Sequence, residues 1–128
     1  MATATADLRN INRGISSAAT LLGPEGAGGI ENTSCNVYPG VEISIDEPKA
    51  TAIVIRPFVI ELTPTQEGYM ATSRISNAFE LGSTLFQAAR NYLEFLVDEI
   101  LWLQKNVEQL SPSIQGDLRR LQRYLRIV

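Results

Sequence analysis

The sequence predicts an α+β fold: a two- to three-stranded antiparallel sheet packed on a long heptad-patterned helix, with a shorter C-terminal helix. Three observations predict it. Apolar residues recur every seven positions from Thr72 to Leu110, apolar and polar residues alternate from Val41 to Asp46, and a Ser-Pro pair restarts a helical pattern after Leu110. The chain divides near residue 40. Residues 1–40 read as an N-terminal amphipathic segment and Gly-rich arm, and residues 41–128 as an α+β assembly domain.

In residues 4–22, Leu8, Ile11, Ile15 and Leu22 fall at helical spacing, and Asp7 suits the positive end of a helix dipole. Gly14 and the Ser/Thr content weaken such a helix, so it needs a partner surface; the alternative is a flexible arm. Residues 23–40 hold five Gly and two Pro, which marks a loop or arm rather than a core element. The GPEGAGG run lacks the Lys and Ser/Thr that a phosphate loop places after its last Gly. Cys35 has no base near it in sequence and reads as a small, semi-buried residue.

Val41, Ile43 and Ile45 alternate with Glu42, Ser44 and Asp46, as in a half-buried strand, and residues 46–49 read as a turn. The run TAIVIRPFVIELT, from Thr51 to Thr63, is β-branched and apolar on both faces, which predicts cover on both sides. Pro57 cannot donate to a ladder, so it sets this run at an edge or splits it in two. Residues 63–68 read as a loop, with Thr72 or Ser73 as N-cap of the long helix.

That helix has no Pro and one Gly. One heptad row is Phe79, Phe86, Leu93, Ile100 and Val107; the other is Ile75, Gly82, Ala89, Leu96, Leu103 and Leu110. Leu81, Ala88, Phe95 and Trp102 form a third row, with Leu85 and Tyr92 beside them. Together the rows span about 160° of the helix surface, wider than a two-stranded seam, so the helix should have two neighbours. Gly82 suggests a close approach of elements. Unbroken, the helix would run about 58 Å, whereas a compact chain of this size is about 36 Å across. This predicts self-association, with Phe79, Phe86, Leu93, Leu96, Ile100, Leu103, Val107 and Leu110 as the oligomer interface.

Ser111 and Pro112 mark an N-cap and first helical position. The last helix, Pro112–Ile127, carries Ile114, Leu118, Leu121 and Leu125 in a stripe, with Arg119, Arg120, Arg123 and Arg126 mostly off it. These arginines are a candidate charged contact. They could pair with Glu94, Asp98 and Glu99 of a neighbouring subunit, bind nucleic-acid phosphates, or lie on an anionic membrane or another protein. Pairing between subunits is favoured, because acidic partners are at hand and Tyr124 alone gives no stacking platform for bases.

The 128-residue chain suffices for one modest domain, and its formal net charge of −3 argues against a surface built wholly for nucleic acid. It has no His and one Cys. That removes the commonest general base and metal ligand, every Ser–His or Cys–His pair, and an internal disulfide. A carboxylate metal site on helices would pair Glu with His, so Glu94, Asp98 and Glu99 read as a solvated face. No cofactor, catalytic residue or metal ligand is expected. MATATADLRN is not a signal peptide and no apolar run is long enough to span a membrane, which fits a cytoplasmic or virion setting. No motif names a reaction. The expected function is a non-catalytic structural subunit that assembles with copies of itself, such as a decoration, neck or tail component of a phage or virus-like particle, or a bacterial scaffold. The alternative is a small dimeric DNA-binding regulator using the Arg-rich helix.

Overall fold

Pro57 cuts the apolar run of residues 51–63, and the cut sets the topology. In the computed structural model, which describes residues 33–128, β3 (Lys49–Val54) ends before the proline and β4 (Phe58–Thr65) starts after it. They enter different sheets. β3 lies between β2 (Glu42–Asp46) and β7 (Leu125–Ile127). β4 lies between β1 (Thr33–Val37) and β5 (Gly68–Thr72), and β5 pairs onward with β6 (Glu80–Gly82). All pairings are antiparallel. The class is α+β as expected, but with two antiparallel sheets of four and three strands instead of one small sheet. The segment expected as a helix at 4–22 and residues 23–32 lie outside the described residues.

Strand periodicity sorts the core. Cys35, Val37, Phe58, Ile60, Leu62 and Ala71 face inward from the first sheet, and Ile43, Ala52, Val54 and Leu125 from the second. Between them on β4, Val59 and Glu61 are exposed, so β4 is covered on one face only, whereas Thr51 and Ile53 on the second face of β3 are half-buried. Thr33–Val37, read from sequence as arm, is a strand with two core side chains. Residues 63–65, read as loop, continue β4 to a turn at Gln66 and Glu67.

The long helix is shorter than its heptad rows. α1 is Leu85–Lys105, 21 residues or about 32 Å, which fits inside a compact chain. Thr84 is its N-cap; its hydroxyl accepts from the Gln87 amide at 3.0 Å, and the Gln87 side chain accepts from the Ser83 amide at 2.8 Å. Residues 73–79 stay out of the helix because serines compete for the backbone. Ser73 Oγ accepts from Ile75 N–H and Ser76 Oγ from Ala78 N–H, each two residues on. Both hydroxyls also bond the Tyr92 hydroxyl, at 2.6 and 2.9 Å, which pins this loop to α1.

The breadth of the apolar face does have two neighbours, and they are the two sheets. α1 touches β4, β5 and β6 of one and β2 and β3 of the other, and packs on α2 (Pro112–Gln122) as well. Ala88, Ala89, Tyr92, Leu93, Leu96, Val97, Ile100 and Leu103 are buried between them. A Leu or Ile so buried contributes about 1.5–3 kcal/mol. Ser111 caps α2 as expected, its hydroxyl accepting from Ile114 N–H at 3.3 Å. α2 ends at Gln122 instead of continuing to Ile127. Tyr124 N–H bonds Leu121 O in a tightened last turn, and Leu125–Ile127 leave as β7 to pair with β3.

Candidate functional site

The expected oligomer seam divides into two parts. Leu93, Leu96, Ile100 and Leu103 are at most 4% exposed and are closed off by the chain's own sheets and α2, so in this fold they present no surface to another copy. Phe86 and Leu110 are half-buried against the same core. Only Phe79 and Val107 of the set are exposed. The heptad spacing thus serves packing within the chain over most of its length. Two residues of the third heptad row, outside that set, are as exposed as Phe79: Leu81 on β6 and Trp102 on α1.

The acidic trio also divides. Glu94 and Asp98 do not face open solvent alone. They line a cleft of about 450 Å³ with Asp46 and Glu47 from the β2–β3 turn, Glu80 from β6, and Phe95. Topology brings the turn and β6 alongside the polar side of α1, so no local pattern announces this gathering. Arg90 reaches Glu94 from four residues earlier at 4.0 Å while its guanidinium lies 5.5 Å from the Phe86 ring centre. Among the described residues no group of His, Cys, Asp and Glu is placed to hold a metal ion.

Glu99 points elsewhere. It lines a separate cavity of about 280 Å³ between α1, α2 and residues 75–78, together with Asp117 and Arg120. Burial raises its carboxyl above the ordinary carboxylate range, and the charges of Asp98 and Asp117 add to this. Asp117 is paired with Arg120 at 3.5 Å on the same helix.

The four arginines therefore differ. Arg120 is engaged within the chain. Arg119, Arg123 and Arg126 are exposed, and Arg119 and Arg123 stand one turn apart at the end of α2 with no ion pair among the described residues. Gln115, one of two glutamines on α2, donates its side-chain amide to the carbonyls of Val107 and Leu110. Cys35 is buried, which pushes its thiol up to about 12 and keeps it protonated at neutral pH. No described helix is long and apolar enough to cross a membrane. No family model matches the chain, and no curated protein or solved structure does either.

Proposed function

We propose that this chain is a non-catalytic structural subunit that assembles with copies of itself in the cytoplasm or a virion. A decoration, neck or tail component of a phage or virus-like particle fits this reading, as does a bacterial scaffold, by analogy of form. The observation that carries it is the exposure of large apolar side chains on a fold whose core is already closed. Trp102, Phe79 and Leu81 are each more than half exposed among the described residues. Large apolar groups left outside a finished core favour a surface that another molecule covers. The absence of His and the buried, protonated thiol of Cys35 favour a role without catalysis. The DNA-binding alternative is weakened by Gln115, whose amide is already committed, leaving Gln122 as the one side-chain amide on α2 free to pair with adenine.

Light scattering on the full chain over a range of concentrations tests the proposal. A defined oligomer or a filament is expected. A monodisperse monomer of compact radius at every concentration would overturn it.

A further inference from the structure

We propose that the acidic cleft beside α1 is the docking surface for the exposed Arg119–Arg123 face of a second copy of this chain. The inference rests on the self-assembly reading and names the joint. The two faces are complementary in sign and in build. The cleft gathers Asp46, Glu47, Glu80, Glu94 and Asp98 around Phe95; among the described residues Glu94 has an ion pair, with Arg90 at 4.0 Å, and Asp46 stands across the strand pair from Lys49, so carboxylates outnumber these two cations. Its lining includes none of the arginines of α2 or β7, so the chain does not neutralise it with its own C-terminal cations. Arg119 and Arg123 project from one side of α2, while Arg120, between them in sequence, is held by Asp117.

An aromatic row on α1 runs on from the cleft. Trp102 follows Phe95 by two helical turns on the same row of α1 and is 57% exposed. A guanidinium entering the cleft meets carboxylates that accept paired hydrogen bonds, with Phe95 in the lining beside them. Lys would gain less from either. Each copy then carries one acceptor face and one donor face. The contact joins two different patches, so it propagates from copy to copy until a ring closes or a filament grows.

A charge swap tests this on the full-length chain. One variant carries Arg119→Glu with Arg123→Glu, and the other Glu47→Lys with Asp98→Lys; all four side chains are exposed, and circular dichroism checks that both variants fold. Arg119→Glu with Arg123→Glu sets like charges across the joint, and Glu47→Lys with Asp98→Lys puts two cations among the three carboxylates left in the cleft; each variant alone is expected to associate at least about tenfold more weakly than wild type. Mixed one to one, the variants present opposite charges to each other again, and assembly is expected to return. Raising salt should weaken the wild-type assembly by screening the same joint. If both folded variants assemble alone as wild type does, or if the mixture fails to recover, the joint is wrong although self-assembly stands. If wild type is a monomer throughout, both readings fall together.

Discussion

Glu99 shows how a residue read as part of a solvated face acquires a different role once its neighbours are placed. The sequence sets it beside Glu94 and Asp98, but one position along a helix is a rotation of 100°, and that turn takes it from the acidic cleft into the cavity against α2. There burial raises its carboxyl, helped by Asp98 and Asp117. A carboxyl with a raised folded value binds its proton more tightly in the folded chain than in the unfolded one. Its contribution to stability is therefore most favourable at low pH and is lost as pH rises from the unfolded value, about 4.3, through the raised folded value. Glu99→Gln should melt higher than wild type at neutral pH, with the gap closing by about pH 3.5, where both forms are uncharged. Melting curves at several pH values check this, and a gap that ignores pH would refute the burial account of Glu99. Tyr92 makes the converse point. Its ring fits the heptad reading as one more apolar body, while its hydroxyl, bonded to Ser73 and Ser76, holds the loop that the same reading took for helix.

At the scale of elements, what was legible is what local pattern alone decides. The alternation around Ile43 gives β2, Pro57 divides β3 from β4, and Ser111-Pro112 starts α2. β6 and β7 are three residues long, too short to show a period, and β7 exists through its pairing with β3, far back in the sequence; β5 follows β4 across the turn at Gln66 and Glu67, inside and just beyond the stretch that reads as loop. The boundary of α1 was missed because Ile75 and Phe79 continue the heptad rows, although Thr84 and Gln87 carry a capping signature inside them. Gly82 was legible as a point of close approach but not as the end of a strand. A Cβ there would run into the backbone of Ala88, meeting its Cα at 2.6 Å, because β6 lies directly against the first turns of α1. Asn91 reinforces the contact by donating to Leu81 O at 2.9 Å. Gly82→Ala should therefore cost about 1–3 kcal/mol, since neither backbone can yield without moving β6. Had Gly82 been a helical glycine, the same change would have stabilised the chain by about 1 kcal/mol. Urea unfolding distinguishes the two by sign.

For the whole molecule, length alone does not force association, because the long helix stops short of the span its heptad rows imply. A helix of about 58 Å would have forced an elongated chain to find a partner, whereas α1, at about 32 Å, is covered on both flanks by the chain's own sheets. The case for association now rests on what the closed core leaves outside, and Trp102 is the most direct reporter of it. It is the sole tryptophan, so the intrinsic fluorescence of the protein reads one position. More than half exposed, one helical turn beyond Asp98 of the acidic cleft, it should emit to the red in a dilute sample and shift to the blue if concentration carries the chain into its assembly. Trp102→Ala should change folding stability by no more than about 1 kcal/mol, because the site is not part of the core. Buried at an interface, a tryptophan commonly contributes about 2 kcal/mol or more, so the same variant should weaken association about thirtyfold. The two measurements separate a folding residue from a docking one. An emission maximum that stays fixed while the scattering mass grows would place Trp102 outside the joint, and the arginines of α2 would then have to find their partner at a distance from it.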